Sequence, residues 1–259
     1  LFILYFKSSG HLGAWLTAAV LGALLVGNEF AGDRYGRRFT LTWSLFALNA
    51  ILLFNFVLPH LAGSLHPMWF YASTLAGVVL AHVLRALAPG RPGRIAPAWA
   101  IALTLLAAWN LGMIAPVPLV NREMAVGQDF VHADGRFALA VEEAPWWQIW
   151  YAQSTTVHIP PGERLYGVSA VFAPLGVAAD LEHRWEVKEN GVWRTFYSNR
   201  FHSSGGRERG FRGYSWVLDP KPGPWRFVVA TQDGRTIGVL NVQVERGDPR
   251  MQARVEREF

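Results

Sequence analysis

The chain has 259 residues, a formal net charge of +5 and no cysteine, which excludes thiol catalysis, disulfides and cysteine-based metal sites. Residues 1–119 carry seven basic side chains (Lys7, Arg34, Arg37, Arg38, Arg85, Arg91, Arg94) against two acidic ones (Glu29, Asp33), so the whole surplus lies there, and the other 17 basic and 17 acidic residues cancel. A basic excess confined to loops between apolar stretches reports membrane topology, not nucleic-acid binding.

The apolar run Leu1–Phe6 reads as the end of a helix whose beginning is missing. A first nearly complete span is predicted from Leu12 to Asn28. Between Arg38 and Arg85 there is no Asp, Glu, Lys or Arg, and about 20 apolar residues suffice to cross the hydrocarbon. Two spans fit, Phe39 to Leu58 and Met68 to Leu84, separated by the break Pro59-His60 to His66-Pro67. A last span is predicted from Ala96 to Ile114, stopped by Pro116 and Pro118. By the positive-inside rule the two arginine-rich loops are cytoplasmic, which puts everything after Pro118 outside the cytoplasm.

Residues 119–135 read as a linker. From Arg136 onward, alternating strands with frequent turn residues give the pattern of an all-β sandwich or barrel over 136–245, and an immunoglobulin-like sandwich is the expected form. Two hairpins are predicted: Leu181–Val187 with Val192–Tyr197 around Asn190-Gly191, and Trp225–Thr231 with Thr236–Val242 around Asp233-Gly234. Further strands are expected at Leu165–Ala173 and Gly213–Leu218. The charged tail 246–259 reads as a short surface helix or a frayed end.

The run Ser203-Ser-Gly-Gly-Arg-Glu-Arg-Gly-Phe-Arg-Gly-Tyr-Ser215, with Gly223-Pro-Trp-Arg226, Thr231–Gly238 and Leu181-Glu-His-Arg-Trp185, resembles the bacterial family of domains of unknown function numbered 2914. Gly27-Asn-Glu-Phe30 and Ile114–Leu119 look like parts of the membrane region that precedes that domain in the family. The resemblance implies a β fold and an envelope location, and it assigns no activity. Gly213 departs from the β-forming residue expected at its place.

His183 and Trp185 share the apolar face of one strand, so His183 reads as a core histidine with one hydrogen bond ahead of a ligand or base. His132, His158 and His202 have no metal-ligand spacing, and no metal or cofactor is expected. Glu142 and Glu143, as strand neighbours, point to opposite faces and read as a solvated acidic turn. No nucleophile or nucleotide motif is present, so the chain is read as a non-enzyme. In the membrane half Asn49, Asn55, His82 and Asn110 read as contacts between helices ahead of a transport path.

Two segments read as binding surfaces. One is the loop 200–212, where Gly205 and Gly206 allow close approach and Arg207, Arg209 and Arg212 gather positive charge for an anionic group. A structural role for those arginines, pairing with Glu208 or crossing to a neighbouring strand, is the competing reading. The other is Trp146–Tyr151, where Trp147 and Trp150 would serve lipid headgroups or stacked sugars, against a central sandwich strand as the plainer reading. The sequence is therefore read as a transmembrane helical bundle (1–118, about four spans and a partial first helix) followed by a periplasmic β-sandwich, in a bacterial inner-membrane protein. Its expected partners are the lipid bilayer and either another envelope membrane protein or an anionic glycan or lipid, not nucleic acid. The alternative is a subunit of a transport or envelope-polymer export complex.

Overall fold

The computed structural model describes residues 12–29, 39–88, 90, 93–114, 116, 119–133, 136–144, 146, 153–174, 177–204, 210–249 and 253–259. The chain divides into two compact units, residues 1–118 with 176–178, and residues 119–175 with 179–259.

The first unit is helical: α1 Leu12–Glu29, α2 Phe39–Ala62, α3 Met68–Ala86 and α4 Ala96–Asn110. α2 and α3, with 24 and 19 residues, are long and apolar enough to cross a membrane, whereas α4 is an apolar helix of 15 residues. The expected end of the last span at Ile114 is thus corrected to Asn110, because Gly112 takes a positive φ of 69° and turns the chain. The expected stop at Leu58 is corrected as well. α2 continues through Pro59 and closes at Gly63 (φ 60°), whose N–H donates to the His60 carbonyl while the Ser64 N–H donates to the Pro59 carbonyl, both at 3.2 Å. Proline lacks a donor but keeps its acceptor, so it suits a last turn whose carbonyls receive the capping bonds.

α2 and α3 pack backbone to backbone, since a Cβ on Gly77 would meet Ile51 at 2.6 Å. Leu48, Leu52, Phe70 and Trp109 form one buried cluster, with the Phe70 and Trp109 rings stacked at 4.0 Å, and Ile51, Val78 and Ala102 belong to a second. Two of the expected contacts between helices are present: Tyr71 Oη donates to Asn110 Oδ1 at 2.9 Å, and Trp99 Nε1 to His82 Nδ1 at 3.3 Å. Asn49 instead bonds the Leu45 carbonyl of its own helix, and Asn55 is buried with neither amide atom hydrogen-bonded.

The second unit is a β-sandwich-like arrangement of ten strands: β1 Val120–Ala133, β2 Arg136–Glu142, β3 Thr156–Ile159, β4 Arg164–Phe172, β5 Ala178–Glu189, β6 Val192–Ser204, β7 Phe211–Leu218, β8 Gly223–Thr231, β9 Thr236–Arg246 and β10 Arg254–Glu258. One sheet has the order β3-β9-β8-β5-β6 and the other β10-β2-β1-β4-β7. Both expected hairpins form. Asn190 and Gly191 take φ of 49° and 81° between β5 and β6, and Gly234 takes 84° between β8 and β9, the left-handed values that tight hairpin turns need.

Two segment assignments are corrected. The expected linker 119–135 is largely β1, which pairs with β4 through Gly127 and with β2 from Gln128 to Ala133, with a register shift between Gln128 and Val131; a bulge of this kind breaks the alternation by which a strand is recognised. The expected surface helix or frayed tail contains β10, which pairs with β2 from Arg254↔Glu142 to Glu258↔Ala138 and ends on the buried Phe259. Its charged residues are compatible with an edge strand, where backbone pairing and not side-chain burial does the holding.

The sheets meet through rings set against backbone. A Cβ on Gly167 would lie 2.7 Å from Trp185 and 2.8 Å from Phe227, and one on Gly213 would lie 2.8 Å from Phe201 and 3.2 Å from His183. Gly213 thus replaces a β-former because the rings opposite leave no room for one. Trp185 Nε1 donates to Ser215 Oγ across the sheets at 3.0 Å. His183 is fully buried between Phe201 and Phe227, at ring separations of 4.6 and 4.8 Å, with Nε2 2.8 Å from Ser169 Oγ and no hydrogen-bond partner at Nδ1. It is a core histidine with one hydrogen bond.

Burial lowers the His183 pKa from 6.5 to about 3. The unfolded chain therefore binds the extra proton first, so this contribution to stability is complete above about pH 6.5 and is lost as pH falls toward 3, at a slope of up to about 1.4 kcal/mol per pH unit. Between pH 6.5 and 5, the melting temperature of the full chain in detergent, followed by tryptophan emission, is expected to fall, and His183→Gln to flatten that dependence. A parent whose melting is level over this interval contradicts the neutral buried histidine.

Candidate functional site

β4 and β7 reverse the usual distribution of side-chain size. Their inward positions include Gly167, Ser169, Gly213 and Ser215, all buried, while the alternate positions carry Arg164, Tyr166, Arg212, Tyr214 and Trp216 on the outer face. The small residues are cross-strand partners (Gly167↔Ser215, Ser169↔Gly213), and so are the rings Tyr166↔Trp216. Rings from the opposite sheet fill the interior over these four small residues, while Leu165, Val171 and Val217 point inward beside them.

The outer face is an assembly of rings and guanidinium groups. The Arg164 guanidinium lies 4.3 Å from the Trp216 ring centre. Phe130 of β1 stacks on Tyr214 at 4.4 Å and on Tyr166 at 5.4 Å, Phe137 of β2 meets Phe130 edge-on at 5.6 Å, and His132 sits 4.5 Å from Phe137. Arg212 lies 5.9 Å over Phe137, and Arg122 5.9 Å over Phe172. Beneath these rings, Ala125, Leu139, Val141, Val168, Ala170 and Phe259 form an apolar cluster. Tyr214 and Trp216 remain 40% and 39% exposed, so the ring strip has a dry base and an open upper side.

Arginines on the opposite outer face are used differently. On β5 and its neighbours, Glu182 and Glu186 are buried and paired: Arg184 reaches Glu182 at 3.7 Å and Glu186 at 3.4 Å, Arg200 reaches Glu182 at 3.8 Å, and Arg226 bonds Glu186. That charge is neutralised within the fold. β4 and β7 contain no Asp or Glu, and among the described residues no carboxylate pairs with the exposed Arg164. A guanidinium over an indole keeps its planar fork of N–H donors at the ring's edge.

Of the residues expected at a binding surface, Arg212 belongs to this face, where it crosses from β7 toward β2. Gly205, Gly206, Arg207 and Arg209 lie outside the described residues, as do Trp147 and Trp150. Trp146 stands in a turn and is 85% exposed. Arg164, Tyr166, Tyr214 and Trp216 were not anticipated. The signal for them is that Arg or aromatic residues at 164, 166, 212, 214 and 216 alternate with Gly or Ser at 167, 169, 213 and 215. The acidic-turn reading of Glu142 is corrected: Glu142 is buried, accepting the His158 backbone N–H at 2.6 Å and lying 2.9 Å from His158 Nδ1, while Glu143 is exposed. Glu245 is 3.8 Å from His158 Nε2. Among the described residues no group of three or more His, Asp or Glu is placed to hold a metal ion.

No family model matches the chain, and no curated protein does. Solved structures with some likeness include a β-glucosidase from Listeria innocua in complex with glucose (13% identity, TM-score 0.26, covering 35% of this chain and 15% of that one). Another is an immunoglobulin-like protein from Pseudomonas aeruginosa (14% identity, TM-score 0.23, covering 41% of this chain and 96% of that one). A third, a β-glucosidase from Bifidobacterium adolescentis, shows 6% identity and a TM-score of 0.23 over 47% of this chain and 17% of that one. The chain thus spans less than a fifth of either glucosidase, and at these scores the likenesses carry no weight for function.

The two outer faces should respond differently to loss of charge. Glu186→Ala strands Arg184 and Arg226 beside a buried site and is expected to destabilise the fold by about 1–3 kcal/mol. Arg164→Ala removes only an exposed cation–π contact and should cost about 1 kcal/mol or less. Denaturant melts of the full chain decide it, and equal losses would remove the distinction.

Proposed function

We propose that the chain is a multi-pass inner-membrane protein of the bacterial envelope, whose second unit is an immunoglobulin-like sandwich held in the periplasm and binds an anionic partner without catalysis. The observation that carries this reading is the alternation on β4 and β7 of Gly167, Ser169, Gly213 and Ser215 inside with Arg164, Tyr214 and Trp216 outside, where Arg164 has no carboxylate partner among the described residues. Stacked rings offer apolar contact at low entropic cost, and a fixed guanidinium offers charge-assisted bonds to carboxylate or phosphate.

Membrane embedding is supported by the exterior of the helical unit. In the apolar stretches of α2 and α3 only 39% and 33% of residues are buried, and Leu53, Leu75, Val79, Val83 and Leu103 face outward, which suits lipid and not water. The arginine bias of the loops supports the orientation, and the likeness of Ser203–Ser215 and its flanking motifs to family 2914 supports an envelope location. A second reading, in which the helices support or line the path of a transport or export complex, draws on Asn55, a polar side chain left unpaired inside an apolar bundle.

A reporter that is active only outside the cytoplasm is expected to work when fused after Phe259 and to fail when fused near Arg91; the inverse pattern would remove the periplasmic placement.

For binding, the full chain in detergent should be retained on carboxymethyl agarose. Trp216→Ala, which leaves net charge unchanged, and Arg164→Gln should each reduce retention more than Arg194→Gln, which removes an exposed charge from β6. Losses that follow net charge alone would refute a dedicated face.

A further inference from the structure

We infer that the outer side of the α3–α4 pair seats one anionic phospholipid, with its phosphate on Arg85 and Arg94 and an acyl chain along the helices. This uses the membrane reading of the helical unit and is independent of the face on β4 and β7. The first argument is how the two cations are held. The Arg85 Nε–H donates to the Gly93 carbonyl, and the Arg94 backbone N–H donates to Thr40 Oγ1 at 2.9 Å. Gly93 itself is pressed against the start of α2, where a Cβ would meet the Phe39 and Thr40 backbone at 2.8 Å. The end of α3, the segment before α4 and the first turn of α2 are thereby tied together beside two guanidinium groups. The Arg85 bond uses Nε and leaves both terminal nitrogens to donate, and the Arg94 bond uses backbone only. From Arg34 to Arg122 the sequence has no Asp or Glu, so α2, α3 and α4 supply no carboxylate to neutralise them.

The second argument is the surface next to the cations. His82 stands one turn before Arg85 on the same face of α3. Its Nδ1 accepts the Trp99 Nε1–H, so in the neutral ring the proton sits on Nε2, and both residues are exposed. Tyr71 and Asn110 make a second polar clasp between the same helices. Between the clasps, Leu75 and Val79 of α3 and Leu103 of α4 are exposed. Tyr71 and His82 are eleven residues apart on α3, roughly 16 Å at about 1.5 Å per residue. That length matches the acyl layer of one leaflet, half of a hydrocarbon core of about 30 Å. Cations, then an imidazole and an indole, then aliphatic side chains follow the order of phosphate, glycerol ester and acyl chain in a phospholipid. A free phosphate makes no use of the aliphatic part, and a zwitterionic lipid brings a cation of its own to the arginines.

The test uses the full chain in detergent, titrated with dioleoyl phosphatidylglycerol or dioleoyl phosphatidylcholine, with and without sodium phosphate, and bound lipid is counted by native mass spectrometry. One phosphatidylglycerol should bind about ten-fold more tightly than phosphatidylcholine or better, and phosphate at the lipid's concentration should not displace it. Arg94→Gln alters a side chain that makes no hydrogen bond or ion pair among the described residues, so the fold is kept. It should weaken phosphatidylglycerol binding about five-fold or more and leave phosphatidylcholine within about two-fold. Arg85→Gln should act in the same direction, and Arg194→Gln, on β6, should change neither lipid. Equal binding of the two lipids overturns the site, and so does a preference that survives Arg85→Gln and Arg94→Gln together. Displacement by phosphate assigns the cations to a free anion and overturns the lipid. Binding of neither lipid also overturns the site, whereas the membrane reading falls separately, should carbonate washing release the chain from membranes.

Discussion

The organisation of the β unit depends on how closely its two sheets approach. At Gly167 and Gly213 the rings of Trp185, Phe227, Phe201 and His183 lie directly on the opposing backbone, with no space for a Cβ. Protein interiors are close-packed, so one sheet supplying the volume obliges the other to be thin. β4 and β7 meet that demand with Gly and Ser inside. Leu165, Val171 and Val217 still point inward, while Arg164, Tyr166, Arg212, Tyr214 and Trp216 take the outer face. The site and the core are two consequences of one packing solution.

That solution also accounts for the polar atoms in the core. Ser169 and Ser215 are small enough for the inner face of the thin sheet, and each hydroxyl meets a ring nitrogen, of His183 and Trp185 respectively. A buried indole or imidazole nitrogen without such a partner loses more than the hydrogen bond gains. The serine positions therefore fix which rings can stand opposite them, and they set the register between sheets as firmly as apolar contact does. Among the described residues His183 Nδ1 has no hydrogen-bond partner.

The legible parts of the sequence were those in which one residue pair imposes a backbone conformation. Asn190-Gly191 and Asp233-Gly234 mark their hairpins because left-handed φ angles are open to few residue types. β1 was hidden because its bulge breaks the alternation and because Arg122, Glu123 and Asp129 read as solvent-facing linker. β10 was hidden because Arg-Val-Glu-Arg-Glu carries nothing for a core to select. Arg212 was legible as a cation of a glycine-rich segment, but its neighbours on the face come from β1, β2 and β4, up to 82 positions away in the chain at Phe130. Only the register of β4 with β7 brings Tyr166 beside Trp216, and register is a property of strand pairs, not of either strand.

The chain's charged end has a specific place in this arrangement. Arg254 pairs with Asp129 at 2.8 Å and Arg257 with Glu123 at 3.0 Å; Glu123 lies within the pairing of β1 with β4, and Asp129 lies just beyond its end at Gly127. Each pair is partly exposed and contributes modestly by itself. Together they hold β1 at two points around the stretch where it leaves β4 for β2, and Phe130 follows Asp129 directly. Phe259 completes the anchorage by entering the apolar cluster under Phe130, Phe137 and Tyr166, with its N–H donating to the Phe137 carbonyl at 2.9 Å. The base of the ring strip is thus assembled from β1, β2, β4 and the last residue of the chain. The tail reads as solvent-exposed because its contribution is to position a bulged strand, a task done by charge pairs and backbone bonds and not by apolar periodicity.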